Sequence, residues 1–530
     1  MKRIAALLAL IALGACAGGS DRGATAGRFD LAADPANLNP LFLHQDASSV
    51  EQQVARLAFE PFLDLDERGR PVPALLQVVP TVANGGVSAD GRTLTYRLRP
   101  SVRWSDGVPV TSADVLYTLH AILDPRNPVR SHEGYDLIDR AAAPDAHTVV
   151  FHLRRAWAPA VMTYFSYGYS PQFVLPAHVL RNEEPLARAA FNAAPTVGDG
   201  PYQFVRWKRG DSLRYRANPG YWRGKSKLET LDVRVVPAPS TNLLLLRSGQ
   251  LDWNLIAPAQ QESLSGAAGI AYRYVPTATI AGLVVNLAHP PLDDVRVRRA
   301  IAMSIDRESI SRKITLGRYP VTNVLQPQFS WAYDASVHEP GYDPTAADAL
   351  LDSAGWKRGP SGVRTKAGRP LSIVYVQFPE SFTGVRVATD VQAELRLRGM
   401  DVTVKSISNA QLFLPGSRGG TLASGAYDMA YVPFTMGADP DDSSILACNA
   451  PSNYMRYCDR HVDALERRAL VAVSQKERRA LYRKIGAIVA RAVPIVYLFD
   501  ANYIYAYRTS LHGFYPNAFV PTWNAYAWSR

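Results

Sequence analysis

A chain of 530 residues with 47% hydrophobic side chains is too long for one hydrophobic core and apolar enough to fold, so two or three globular domains are expected. Lysine and arginine outnumber aspartate and glutamate by 58 to 47, a formal net charge of +11, which suits a nucleic acid, an anionic lipid or an acidic ligand. The arginines are scattered rather than clustered, which favours a solvated basic surface. Beyond the N-terminus no stretch reaches the about 20 uncharged apolar residues of a membrane span.

Lys2 and Arg3 precede an apolar run over residues 4–13, and Leu13-Gly14-Ala15 leads directly into Cys16. A basic start, a short apolar core and small residues at the cleavage point define a secretory signal over residues 1–15. Leu13-Gly14-Ala15-Cys16 resembles a lipobox, which implies cleavage before Cys16, acylation of its thiol and attachment of the exported protein to a lipid bilayer. Ala17 stands where an Asp would favour retention at an inner membrane, which points to an outer membrane in a cell that has one. Residues 16–27 are small and polar and read as a flexible tether. Export argues against nucleic acid as a partner.

Along the chain, helical and strand patterns alternate, an α/β signature. A strand is expected at 93–98, and Thr111 with Asp114 forms a capping box ahead of a helix at 112–123, where Val115, Leu119 and Ile122 recur at helical spacing. Strands follow at 148–153, 202–207 and 212–217, the last two joined as a hairpin around Arg209-Gly210-Asp211, then at 231–236 and 282–286. Asp293 or Asp294 caps a second helix in which Val297, Ile301 and Ile305 form an apolar stripe while Arg298 and Arg299 point away. Asp343-Pro344 opens a third, stopped by Gly355. After strands at 371–377 and 402–407, Ser474 with Glu477 starts a fourth helix that ends before Pro494, and a strand covers 495–507.

Catalytic and cofactor motifs fail on inspection. His132-Glu133-Gly134-Tyr135-Asp136 begins like a zinc-protease helix but has Asp136 where the second His belongs, and Gly134 disfavours the helix. Gly198-Asp199-Gly200 starts a dinucleotide fingerprint that Pro201 and Gln203 break, so it reads as a turn. Arg209-Gly210-Asp211 is better explained as hairpin chemistry than as an adhesion motif. There is no phosphate-cradling GxxxxGK[ST], no GxSxG, and the 10 histidines never group at metal spacing, so neither catalysis, cofactor nor metal is expected. With Cys16 taken by lipid, Cys448 and Cys458 stand ten positions apart in an oxidising compartment and are expected to pair. Metal binding is the alternative, with His461 a poor third ligand. The run Gly437-Ala438-Asp439-Pro440-Asp441-Asp442 follows an apolar stretch at 429–434 and can place acids at a cleft to grip an ammonium group, although a solvated acidic turn fits the composition equally well.

Long segments are together similar to the family 5 extracellular solute-binding proteins, the dipeptide- and oligopeptide-binding components of ABC importers. They are 102–119 (VRWSDGVPVTSADVLYTL), 198–222 (GDGPYQFVRWKRGDSLRYRANPGYW), 291–310 and 342–356, in that order, with Asn39-Pro40 and Glu60-Pro61-Phe62-Leu63 upstream. The resemblance implies a two-lobed periplasmic-binding-protein clamshell of the type II, large peptide-binding class with an inserted subdomain. On this chain lobe I is expected at 28–62, 198–278 and 495–530, the insert at 63–197 and lobe II at 279–494, with crossings near Ala278 and Pro494.

It also implies a monomeric, periplasmic or cell-surface lipoprotein that encloses a peptide or similar small solute and presents it to an ABC permease. A solute sensor or chaperone on the same fold and a secreted hydrolase are the alternatives. The resemblance admits nickel, haem, opines, sugars and antibiotics as ligands beside peptides. In peptide-binding members an Asp in the loop equivalent to 437–444 holds the amino terminus. Asp439 aligns with it through a short gap, Ala438 without one, and Asp441 is a second candidate. Cys448 and Cys458 resemble a loop disulfide of the dipeptide-binding branch. Trp331 and Tyr333 are candidate cleft aromatics, with core packing as the other reading.

Overall fold

The computed structural model describes residues 25–43, 50–167 and 171–530; Cys16, the signal and most of the tether lie outside them. Ten strands build the main sheet: β1 (Ala26–Leu31), β2 (Tyr202–Lys208), β3 (Ser212–Ala217), β4 (Thr230–Val235), β5 (Trp253–Ile256), β6 (Ile270–Val285), β7 (Ser372–Gln377), β8 (Asp401–Ser406), β9 (Met429–Thr435) and β10 (Ile495–Arg508). Their order is β8-β7-β9-β6-β10-β5-β1-β4-β3-β2. Helices around it include α1 (Val50–Ala58), α2 (Ser112–Leu123), α3 (Val295–Ser304), α4 (Pro344–Ser353), α5 (Arg460–Val471) and α6 (Gln475–Ala492).

This sheet serves two cores. Phe29, Leu231 and Trp253 from β1, β4 and β5 pack in the first. Ile373, Val402 and Met429 from β7, β8 and β9 pack in the second. β6 and β10 belong to both: Ile280 to Val285 and Ile495 to Phe499 lie in the second core, whereas Val275 and Tyr505 lie in the first. The two strands pair antiparallel along most of their length, with a register shift between Pro276 and Ile280 opposite residues 500–502. A smaller sheet of Thr93–Arg97, Thr148–Leu153 and Ile138–Asp145 carries α2. Its Tyr96 and Phe151, with Val115 of α2, are continuous with the first core.

Local signals account for the helix ends. The Thr111 amide donates to Asp114 Oδ2 at 2.8 Å, closing the capping box of α2. Asp294, Asp343 and Ser474 accept from backbone N–H groups in the first turns of α3, α4 and α6. Gly355, at φ +88°, takes the left-handed turn after α4. Two expectations need correction. Arg298 does not point away: it is buried, and donates to the carbonyls of Leu292 at 2.8 Å and Ala492 at 2.9 Å, while Arg299 donates to Arg491 at 3.0 Å. The open C-terminal carbonyls of α6 recruit both guanidinium groups. The strand expected at 282–286 begins instead at Ile270, because its first half is only partly buried and shows no apolar run.

Gly198 and Gly200 bring the chain against the end of α1. The Gly200 amide donates to the Ala58 carbonyl at 2.8 Å, and a Cβ on Gly198 would lie 2.2 Å from that oxygen. Close backbone approach, rather than a nucleotide, explains this glycine pair. The same region is tied by a buried charge network. Arg56 of α1, wholly enclosed, donates to Glu60 at 3.0 and 3.1 Å and to Asp64 at 3.0 and 2.8 Å. Two carboxylates on one guanidinium leave a negative charge, which the hydroxyls of Tyr221 (2.6 Å, to Glu60) and Tyr167 (2.8 Å, to Asp64) offset as donors. Arg56→Met is expected to destabilise the protein by about 3–5 kcal/mol, the cost of stranding buried carboxylates. Urea denaturation measures it, and a loss below about 1 kcal/mol would show that the network contributes little.

Candidate functional site

Between the two cores lies an open cavity of about 610 Å³. The first lobe contributes Glu51 of α1, Arg130, Glu133, Thr163 and Tyr167 to its walls; the second contributes the end of β9, the acidic loop that follows, Phe413 and Tyr454. The lobes touch beside it, where the Ala438 amide meets the Tyr167 carbonyl at 3.4 Å and the Ala158 amide donates to Leu470 at 2.7 Å.

β9 offers a backbone edge to this space. β7 covers it only at Met429 and Ala430. On the β6 side, Asn286 donates to Asp428 at 2.9 Å and Met436 donates to Ala278 at 2.7 Å, which sets the phase of the ladder. By the alternation of an antiparallel pair, the backbone groups of Pro433 and Thr435 then face away from β6 and into the cavity. Pro433 suits an edge, since it has no N–H to lose.

The acids of the following loop take three different roles. Asp439 is bound to Arg478 of α6 through two hydrogen bonds of 2.7 and 2.5 Å, with both side chains at most 10% exposed. Arg478 also donates to the Tyr482 hydroxyl at 3.1 Å and to the Ala469 carbonyl at 3.0 Å. Burial opposes the guanidinium charge, yet Asp439 holds its pKa above the ordinary range. Asp442 is buried on the far side, accepting from Gln326 at 2.9 Å. Burial raises its pKa, and burial beside Asp442 raises that of the neighbouring Glu466 well above the carboxylate range. Asp441 alone of the three lines the cavity without an ion-pair partner among the described residues; it accepts from the Ser443 amide at 3.0 Å, and burial pushes its pKa up.

Trp331 and Tyr333 are placed behind this loop and do not line the cavity. Trp331 packs on the second core, 6.3 Å from the Tyr482 ring and beneath the Arg478 guanidinium at 5.3 Å. Tyr333 packs against a cluster of Val324, Val337 and Ala490. The aromatic side chains that do face the cavity are Tyr167, Phe413, Phe434 and Tyr454. Cys448 and Cys458 are bonded, with Cα atoms 4.6 Å apart, and the loop they close supplies Ser452 and Tyr454 to the wall. No cluster of His, Cys, Asp and Glu able to hold a metal occurs among the described residues, and no helix there is long and apolar enough to cross a membrane.

The segment Gln326 to Phe329 joins the loop to β10 and to the other lobe. Gln326 donates to the Pro440 carbonyl at 3.0 Å, the Gln328 amide donates to Asp500 Oδ2 at 2.8 Å, and Phe329 sits edge-on to Phe519 of the first lobe at 5.7 Å. Asp500 lies opposite the register shift of β6, and its second oxygen has no hydrogen-bond partner among the described residues. Burial without a cation raises its pKa from 3.8 to about 7.

Fold and cleft together define a two-lobed α/β binding protein that encloses a small solute between its lobes. More narrowly, residues 77–455 match the family described as bacterial extracellular solute-binding proteins, family 5 Middle, and the chain belongs to that family. It is 28% identical over 487 residues to Protein XP55 of Streptomyces lividans, covering 90% of this chain and 83% of that one. It is 28% identical over 485 residues to Di/tripeptide-binding protein 2 of Pseudomonas aeruginosa strain UCBPP-PA14, covering 83% and 85%. The crystal structure of the ABC transporter substrate-binding protein CtaP from Listeria monocytogenes shares the fold, with a TM-score of 0.83 at 22% identity over 96% of this chain and 99% of that one.

The Asp500 site gives a pH dependence of known sign. A carboxyl whose pKa is raised on folding holds its proton more tightly in the folded state, so its contribution is fullest below the unfolded value and declines as pH rises toward 7. Asp500→Asn removes this decline. The variant is expected to gain on the wild type by more than about 1 kcal/mol between roughly pH 4 and pH 8. Denaturation midpoints measured across that range test it, and parallel curves for the two proteins would refute the assignment.

Proposed function

We propose that this protein is the substrate-binding component of an ABC importer, exported and lipid-anchored at Cys16, and that it encloses a short peptide or similar amine without covalent chemistry. Asp441 carries this reading: it is a carboxylate in the cavity wall, free of an ion pair among the described residues and next to the open edge of β9. A peptide lying along Pro433 and Thr435 adds a strand to that edge, which supplies affinity through main-chain bonds and leaves side chains unrestricted. Its ammonium group meets Asp441 in a charge-assisted hydrogen bond, and Arg130 on the opposite wall is a counter-charge for its carboxylate. The names of the di/tripeptide-binding and ABC-transporter relatives agree with this ligand and this partner. Solute that touches both walls adds contacts available only to the closed form, and so shifts the hinge toward the form a permease receives.

The assignment separates the two cavity-side acids. Asp441→Asn is expected to weaken peptide binding at least about tenfold, the scale of one charge-assisted bond. Asp439→Asn acts mainly on stability, because its loss strands the buried Arg478. Mass spectrometry of solute released on denaturation and titration calorimetry with di- and tripeptides test the first, and thermal unfolding of Asp439→Asn tests the second. Absence of peptide binding, or an Asp441→Asn variant with undiminished affinity, overturns the reading.

A further inference from the structure

We infer that the outward face of the β2–β3–β4 edge is a docking surface for anionic lipid headgroups, set beside the point where the tether enters the fold. The inference rests on the lipid-anchor reading of Cys16 for its orientation and on the strand register for its chemistry. Cross-strand partners place Arg206 of β2 opposite Arg214 of β3, Gln203 opposite Arg216, and Lys208 opposite Ser212. β3 in turn sets Ser212 against Arg234 of β4, and Arg214 against Asp232. Partners share a face, so Arg206, Lys208, Arg214, Arg216 and Arg234 project on one side, where Asp232 is the acid among them. Leu213, Tyr215, Leu231 and Val233 fill the other side and are buried.

Residues 203–235 hold 9 Lys or Arg against 3 Asp or Glu, a net +6 of the chain's +11. These charges are spread in sequence and become a patch only through pairing. Arg214 is neutralised by Asp232 at 2.6 Å, and Lys208 lies 3.5 Å from Asp211. Arg216 has only the neutral Gln203 amide oxygen at 2.9 Å, Arg234 only that of Gln250 at 3.3 Å, and Arg206 has no ion-pair partner among the described residues. Like charges directly across strands oppose folding, and a polyanionic surface would relieve them.

Position selects the polyanion. The Thr25 carbonyl accepts from the Glu229 amide at 2.7 Å, and Ala26 pairs with Thr230, the residue opposite Arg216. The chain therefore enters the fold at one end of this face. Residues 17–24 between Cys16 and Thr25 reach at most roughly 30 Å when extended, which keeps the patch near the bilayer that holds the lipid. A second copy of the chain is a poor occupant, since the same positive face would meet itself. A polybasic patch beside a lipid is the two-signal arrangement that makes membrane attachment stable.

The test uses the mature chain, residues 17–530, so that neither the signal nor an acyl chain contributes, and vesicles of phosphatidylcholine with or without phosphatidylglycerol. Binding to the anionic vesicles is expected to be at least about tenfold stronger than to the neutral ones and to fall with salt. Adding Arg206→Gln, Lys208→Gln and Arg216→Gln should abolish most of that preference, on the order of tenfold or more, while leaving peptide affinity unchanged and the thermal unfolding midpoint no lower. Equal binding to both vesicle types overturns the inference, as does an unaffected triple variant or retention by acidic proteins without a preference for anionic vesicles. The mass of Cys16 in wild-type protein from cells is a separate readout: an unacylated Cys16 overturns the anchor reading and leaves the vesicle result intact.

Discussion

Two strands owned by neither lobe constrain everything else. β6 and β10 run out of one core and into the other, and their shared ladder is the main-chain continuity across the cleft. At the register shift local bonds replace the ladder: the Thr277 hydroxyl donates to the Ala501 carbonyl at 2.8 Å, and the Thr279 amide donates back to that hydroxyl at 3.0 Å. An interruption of this kind concentrates bending where the cross-strand bonds are fewest. The site is built on the same spot. Met436, the residue after β9, is held to Ala278 inside the interruption, and the cavity loop begins with the next residue, Gly437.

A second connection runs through Gln326 to Phe329. This short stretch holds the acidic loop by Gln326, the hinge strand by Gln328 and the opposite lobe by Phe329, whose ring lies where a Cβ on Gly69 would stand. Moving the loop therefore disturbs hinge and lobe contact together. The division of labour among the three acids follows from these attachments. Asp439 is spent on Arg478, which anchors the loop to α6, and Asp442 is held by Gln326 beneath it. Both positions trade availability for rigidity, and Asp441 between them is left facing the cavity on a loop fixed at either side.

How much of this the sequence reveals depends on how local the cause is. Caps and stops are local, so α2, α3, α4 and α6 are legible from Thr111, Asp294, Asp343, Ser474 and Gly355. β1 is not: Ala26 and Gly27 continue the small, polar look of the tether, and Gly27 is covered by Leu228 and Leu231, which are far away in sequence. The helix at Phe382–Leu397 hides a narrow apolar stripe among exposed side chains and passes unnoticed for that reason. At the cleft, an acidic loop after an apolar strand is readable, but which acid is free is not. Arg478 decides that, and nothing near Asp439 in sequence announces it. Trp331 shows the same dependence, since its ring is claimed by Tyr482 and Arg478 from α6.

The placement of charge is what folding changes here. Read along the chain, +11 describes a diffusely basic protein. Folded, the sign separates by place: Glu51, Glu133, Asp439 and Asp441 line the cleft with Arg130 as the basic residue among them, whereas Arg206, Lys208, Arg214, Arg216 and Arg234 share an outer sheet face. With Asp439 neutralised by Arg478, the cleft still favours a cationic group while the outer face repels one. A solute-binding protein is helped by this arrangement, because the basic charge of its outer face is kept away from the walls that meet its solute.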